Sequence, residues 1–146
     1  MKTLILAASA SIALASFSEA ATAGCSAPAS TPINTVSALT TLLSGKTVCV
    51  PDATPASWKW QEYHQAGGDL VDYKKGPSDT IDPSEKVGTW AVSGNTNGQR
   101  ARVTHDYGTG GKYTYTVFDN GGAKYSFCGG GQDIVSTIKA GQGACP

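Results

Sequence analysis

The stretch from Arg100 to Cys128 constrains the fold most, because its aromatic and β-branched residues alternate with polar residues. Successive side chains of a strand point to opposite faces, so this alternation predicts three antiparallel strands. Two glycine-rich runs, at 108–111 and 119–122, separate the strands and supply the positive-φ residues that tight hairpin turns need. Similar patterns recur along the chain, and the sequence therefore predicts an all-β domain.

The rest of the chain adds one helix and further short strands. Apolar residues at helical spacing predict a short N-terminal helix over 33–43, which Ser44 and Gly45 end. The other predicted strands are 46–50, 58–64, 69–74, 87–92 and 133–139, with a long loop over 75–86. Seven or eight short strands with no helix between them predict an antiparallel meander.

A meander of this size loses its exposed edges when it closes into a barrel, and eight strands enclose room for side chains or one small ligand. The strand number and order resemble those of lipocalin-like and avidin-like β-barrels. Gly88-Thr89-Trp90 also resembles the Gly-x-Trp motif of the first lipocalin strand, although it stands on the fourth predicted strand here. The resemblance concerns architecture, and no function is inferred from it. A β-sandwich, or an open sheet with the helix on one face, is the alternative.

The N-terminal residues predict export. Lys2 precedes an apolar run over 4–17, and Ser18-Glu19-Ala20 places small residues where a signal-peptide cleavage site needs them. The chain is therefore divided into a signal peptide (1–20), a flexible lead-in (21–32) and a single β-rich domain (33–146). We expect a secreted or periplasmic protein. A lipid-anchored envelope protein is the minority alternative, because Thr22-Ala23-Gly24-Cys25 resembles the end of a lipoprotein signal.

Four cysteines follow the predicted signal peptide: Cys25, Cys49, Cys128 and Cys145. An even number of cysteines in an exported chain predicts two disulfides. We expect terminal cysteines to pair with strand cysteines, and two pairings satisfy this. Cys25 joins Cys49 while Cys128 joins Cys145, or Cys25 joins Cys128 while Cys49 joins Cys145. No metal site is expected, since zinc sites use closely spaced cysteines or histidines.

Composition narrows the expected partners. The chain has 11 Lys and Arg against 11 Asp and Glu, and its formal net charge at pH 7 is zero. Without a basic cluster, nucleic acid is not an expected partner. No segment after the signal peptide contains the roughly 20 apolar residues of a transmembrane helix. We expect a small molecule or another exported protein as partner and no cofactor, while the oligomeric state stays open.

The most unusual side chains lie on the predicted strand 58–64. Alternation places Trp58, Trp60, Glu62 and His64 on one face. One interpretation assigns the tryptophans to the core. The other places Glu62 and His64 at the mouth of a pocket with indole walls, which suits a small ring or a sugar. The candidate ligand-binding residues are Trp58, Trp60, Glu62, His64, Asp72 and Trp90.

The aromatic residues of the last two hairpin strands also have two interpretations. Tyr113, Tyr115, Tyr125 and Phe127 stabilise the core as cross-strand pairs, or they form an exposed platform for carbohydrate or a partner protein. We favour the core, because the residues between them are polar and suit an outer face.

Catalytic signatures are missing from the sequence. It contains no G-x-S-x-G and no H-E-x-x-H, and its glycine runs lack the lysine of a phosphate loop. No catalytic residue is therefore assigned, and the first hypothesis is a non-enzymatic exported domain that binds a small ligand or inhibits a protein. The second is a small secreted hydrolase that acts on carbohydrate through Glu62 with Asp72 or His64. The third is a structural protein of the cell envelope.

Overall fold

The structure is a computed structural model and describes residues 24–52, 58–72, 85–94 and 99–146. The predicted signal peptide, the first residues of the lead-in, the last two residues of the predicted strand 69–74 and most of the predicted long loop lie outside these ranges. The elements are β1 (Thr31–Pro32), α1 (Val36–Leu43), β2 (Lys46–Pro51), β3 (Trp58–His64), β4 (Asp69–Asp72), β5 (Glu85–Ser93), β6 (Arg102–Asp106), a 3₁₀ turn (Gly108–Gly110), β7 (Lys112–Asp119), β8 (Lys124–Gly129) and β9 (Gln132–Ala140).

Strands β2 to β9 form a closed antiparallel barrel. Each strand pairs with the next along the chain, and β9 also pairs with β2, which closes the ring. The predicted all-β meander and its closure into a small barrel are therefore confirmed, and the sandwich and open-sheet alternatives are wrong. A closed ring leaves these strands without a free sheet edge, which removes a site for aggregation.

Strand β1 is a feature that the sequence analysis missed. Thr31 and Pro32 pair with the last two residues of β7, on the edge of β7 that β6 leaves open beyond Tyr115. Two residues are too few to show an alternating pattern, and proline is usually a signal against a strand. An edge position tolerates it, because the missing N–H of proline faces no partner there.

Helix α1 closes one end of the barrel. The Oγ1 of Thr35 accepts a hydrogen bond from the Ala38 N–H at 3.2 Å and caps the helix, which therefore begins three residues later than predicted. Gly45, with a φ of 71°, turns the chain from the helix into β2. Leu39 and Leu43 face the barrel and are fully buried. Among the described residues, no helix has the length and apolar character needed to span a membrane.

The two ends of the barrel differ. At the α1 end, the interior is filled by apolar side chains with no exposed surface, and we call this region the closed half: Leu39, Leu43, Leu70, Val103 and Val117. The antiparallel pairing places the ends of β2, β4, β6 and β8 at the opposite rim, which we call the mouth. The barrel is thus filled at the α1 end and open at the mouth.

Strand β5 is longer than predicted. Glu85 and Lys86 pair with Asp72 and Val71 of β4, although the sequence assigned both residues to the long loop. Two adjacent charged residues look like a loop in the sequence, but they can lie at the rim of a barrel, where strands extend into solvent. The pairing register shifts between Leu70 and Val71, so the strand pattern is also locally interrupted.

Two disulfides attach the chain ends to the outside of the barrel. They join Cys25 to Cys128 and Cys49 to Cys145, the second of the two expected pairings. The backbone N–H of Cys145 also donates to the side chain of Gln61 at 2.6 Å. Disulfides persist in oxidising compartments, so these bonds indicate such an environment.

Candidate ligand-binding site

The half of the barrel nearer the mouth contains a cavity of about 440 Å³. This volume lies within the range of about 300–1,000 Å³ that is typical of small-molecule sites. Aliphatic side chains from three strands form part of its wall: Val48, Val50, Val87 and Ile134. The alternation of β2 explains two of them, since Val48 and Val50 point inward while Cys49 between them points outward to its disulfide.

Aromatic rings form the larger part of the wall. They come from β3, from the residue that follows β6, and from β7 and β8: Trp60, Tyr107, Tyr113, Tyr115 and Phe127. Tyr115 and Phe127 are buried and pack edge to face at 6.1 Å between ring centres. Tyr113 is 45% exposed at the mouth. The core interpretation of the aromatic alternation therefore fits Tyr115 and Phe127, while Tyr113 lies at the entrance.

Two carboxylates lie side by side on this wall. Glu62 of β3 and Asp72 of β4 are directly opposite each other in the strand pairing, and both line the cavity. The hydroxyl of Tyr107 donates a 2.6 Å hydrogen bond to Oε1 of Glu62. The wall thus carries an acidic patch whose central member is fixed by a phenol.

A pair of buried histidines lies behind Glu62. Nε2 of His64 is 3.0 Å from Nε2 of His105, and Nδ1 of His64 is 3.3 Å from the carbonyl oxygen of Glu62. A carbonyl oxygen only accepts, so Nδ1 of His64 carries the proton and its Nε2 accepts from His105. Nδ1 of His105 is then an acceptor, and it faces the Tyr107 hydroxyl at 3.4 Å and Oε2 of Glu62 at 3.7 Å.

Burial changes the titration of this cluster. It raises the pKa of Glu62 to about 7, the Tyr107 hydrogen bond opposes the rise, and the negative charge of Asp72 adds to it. Burial lowers the pKa of His64 to about 3, with a further lowering from His105, and it lowers the pKa of His105 to about 4. Burial also raises the pKa of Tyr107. At pH 7 both imidazoles are neutral and Glu62 is close to its midpoint.

The six candidate ligand-binding residues separate into three groups. Trp60, Glu62 and Asp72 line the cavity. His64 and Trp90 lie beneath it, with 5.2 Å between their ring centres, and both are buried. Trp58 does not line the cavity, and its indole N–H donates to the carbonyl oxygen of Pro146 at 3.1 Å. The register shift between β2 and β3 interrupts the alternation just before Trp58 is reached.

Sequence analysis did not select His105, Tyr107 and Tyr113 for the site. No short motif marks them, and His105 and Tyr107 meet Glu62 only because the barrel closes. One signal was available, since Val103, His105 and Tyr107 share one alternation phase and therefore one face of the sheet. The buried position of Val103 and His105 agrees with that phase.

One group of possible metal ligands occurs in the part of the chain that the structure describes: Cys25, Cys128 and Asp133. The two sulfur atoms are bonded to each other, so neither is available as a thiolate ligand. Oδ2 of Asp133 accepts a hydrogen bond from the Cys25 N–H at 2.8 Å. Structural contacts therefore explain this group.

The acidic, aromatic cavity is the candidate functional site of the described residues. No protein-family model matches the chain, and no curated protein or solved structure matches it significantly.

Proposed function

We propose that the protein is an exported, non-enzymatic domain that binds a small ring-containing molecule inside its barrel. The supporting observation is the cavity, which is walled by aromatic rings, closed on its inner side by the buried layer that contains His105 and Tyr115, and accessible at the mouth. Ligand sites of this kind bury a flat apolar body against aromatic walls and use a few polar groups for orientation. The disulfides and the predicted signal peptide support export to a secreted or periplasmic location.

A carbohydrate hydrolase is the alternative function. The raised pKa of Glu62 favours it, because a general acid has to be protonated near neutral pH. Glycoside cleavage, however, requires two carboxyl groups that flank the bond. Glu62 and Asp72 are neighbours on one wall, and His64 lies beneath the cavity with no exposed surface. The arrangement therefore favours binding over hydrolysis.

Native mass spectrometry of the protein, purified from its oxidising compartment without denaturation, tests the binding function. We expect a copurified molecule whose mass is lost on unfolding, or uptake of small aromatic probes by the empty barrel. A barrel that carries no such molecule and takes up no probe would contradict the proposal.

A matched pair of variants locates the binding. Val87→Trp adds an indole inside the cavity and is expected to abolish probe binding, whereas Ala91→Trp adds the same group at an exposed position of the same strand. If Val87→Trp binds probes as well as Ala91→Trp does, the cavity is not the binding site. Hydrolysis of aryl glycosides by the wild type that is lost in Glu62→Gln would favour the alternative function instead.

A further inference from the structure

The charge on the cavity wall has one sign. Among the described residues that line the cavity, the charged side chains are Glu62 and Asp72, and both are acidic. Because the two are cross-strand partners, their charges add at one place. Two lysines near the mouth form ion pairs with acids that do not line the cavity, Lys86 with Asp69 and Lys112 with Asp106, each at 2.7 Å.

The groups that face Glu62 do not neutralise it. Tyr107 donates one hydrogen bond, Asp72 adds a second negative charge, and the neutral His105 presents a bare nitrogen at 3.7 Å. The contact that His64 makes with Glu62 is to the backbone carbonyl. Within the described part of the chain, this largely buried carboxyl therefore has a hydrogen-bond donor but no cation against it. A cation placed within about 4–6 Å of a carboxyl group favours its ionised form.

The aromatic wall suits a cation as well as a ring. The faces of tryptophan and tyrosine rings carry negative potential and attract ammonium groups within about 6 Å. The molecule already shows this contact, because Nζ of Lys59 lies 4.9 Å from the centre of the Trp60 ring. Tyr107, with its hydroxyl on Glu62, brings a ring to the same place as the carboxyl group.

We infer that the cavity binds an organic amine, with a protonated amino group against Glu62 and an aromatic body against the Trp60, Tyr113 and Tyr115 rings. This inference rests on the proposed binding function and names its ligand class. An anionic ligand of the same shape is repelled by the Glu62 carboxylate. The volume of about 440 Å³ accommodates one amine with a one- or two-ring body.

Three probes with one indole body and different charges test the inference. Tryptamine is cationic, tryptophol is neutral and indole-3-acetate is anionic at pH 7.5. We expect calorimetry on the wild-type protein to show tryptamine bound about tenfold more tightly than tryptophol, because a hydrogen bond to a charged partner is worth about that factor. Indole-3-acetate should bind most weakly.

Glu62→Gln tests the anchor directly. It retains an acceptor for Tyr107 but removes the charge, so we expect a loss of about tenfold for tryptamine and little change for tryptophol. Glu85→Gln is the matched control, since Glu85 is an exposed carboxylate opposite Asp72 at the rim and should leave both affinities within about twofold. Thermal unfolding of each variant verifies that the fold is retained.

The number of protons released when tryptamine binds is a second test. A Glu62 that only supported the fold would release no proton on binding. A cation beside the carboxyl favours its ionised form, so tryptamine binding at pH 6.5 should release part of a proton, measured in two buffers of different ionisation enthalpy. Glu62→Gln should release less.

The outcomes separate the two proposals. Equal binding of tryptamine and tryptophol to the wild type would overturn the amine inference and leave the binding function intact. The same holds if indole-3-acetate binds most tightly. Failure of all three probes and of neutral ring compounds at millimolar concentration would overturn both. The wild-type comparison needs no variant, so a Glu62→Gln protein that does not fold still leaves the amine inference open to refutation.

Discussion

The two halves of this barrel are stabilised in different ways. Fully buried apolar side chains fill the closed half, and Leu39 and Leu43 of α1 are among them. The half toward the mouth is hollow, and its strands carry the disulfides on their outer side: Cys49 lies between the cavity-lining Val48 and Val50, and Cys128 follows Phe127. Packing cannot hold together a wall that encloses empty space, whereas external cross-links can. We therefore expect the disulfides to allow this half of the barrel to stay hollow.

A layer of rings separates the two halves. His64 packs on Trp90, and His105 packs on Tyr115 at 5.6 Å between ring centres. Nδ1 of His64 donates to the Glu62 carbonyl oxygen and the two Nε2 atoms share a hydrogen bond, so three of the four ring nitrogens are satisfied inside the barrel, and Nδ1 of His105 faces the Tyr107 hydroxyl at 3.4 Å. The layer lies between the cavity on the mouth side and the apolar core on the α1 side.

Removal of the bond between Cys49 and Cys145 should have the largest effect. The double change Cys49→Ala with Cys145→Ala opens a loop with a sequence separation of 96 residues, and we expect the free energy of unfolding to fall by about 4 kcal/mol. Urea unfolding at pH 7 measures the change. Hydrogen exchange should show the loss of protection first in β2, β3 and β9, near the cavity. A change below about 1 kcal/mol would mean that the hollow half does not depend on this cross-link.

Leu43→Ala should have the next largest effect. The side chain is fully buried in the closed half, so its truncation leaves a void and should lower the free energy of unfolding by about 3 kcal/mol. Val87→Ala is the control in the hollow half, where part of the side chain already faces the cavity, and it should cost less than about 1 kcal/mol. Similar losses for the two variants, measured by urea unfolding, would show that the halves are not distinct.

Much of the fold could be predicted from the sequence because its determinants are local. Alternation marked the strands around Tyr115 and Phe127, and glycine-rich runs marked the turns between them. The chain is predicted to be exported and has an even number of cysteines, which indicated two disulfides. The positions of the cysteines at the chain ends or on strands then left two pairings. The choice between those pairings depended on contacts between distant residues, such as Cys49 with Cys145, and no local pattern encodes such contacts.

The site was less predictable than the fold. Trp60 and Glu62 could be found, because they share an unusual strand. Their partners His105 and Tyr107 come from β6, which is not a neighbour of β3 in the sheet and reaches it only across the interior of the closed barrel. The strong burial of His64, and the departure of Trp58 from the cavity, likewise follow from strand register rather than from residue type.

The buried cluster between the halves should make stability depend on pH. His64 and His105 have a lower pKa folded than unfolded, so stability falls as pH decreases below about 6.5. Glu62 has a higher pKa folded than unfolded, so it acts in the opposite direction, and its contribution falls as pH rises from 4.5 to about 7. Glu62→Gln removes this opposition. Its free energy of unfolding should therefore rise with pH more steeply than that of the wild type, by up to about 1.4 kcal/mol per pH unit.

Urea unfolding of both proteins at several pH values between 4.5 and 6.5 measures the difference. Exposed carboxylates contribute equally to the two curves, so their effect cancels in the comparison. Parallel curves would show that Glu62 titrates normally and does not share a buried environment with the histidines.

Tyr113→Ala should have the smallest effect on stability and a clear effect on binding. The ring is 45% exposed at the mouth, and its hydroxyl donates only to the carbonyl oxygen of Gly110 at 3.2 Å, so the free energy of unfolding should change by less than about 1 kcal/mol. The loss of one aromatic ring from the cavity wall should weaken tryptamine binding by about threefold. Tyr113→Phe keeps the ring and should bind normally. If Tyr113→Ala lost stability but kept its affinity, the entrance would belong to the packed core, and the division of the barrel into a structural and a functional half would be wrong.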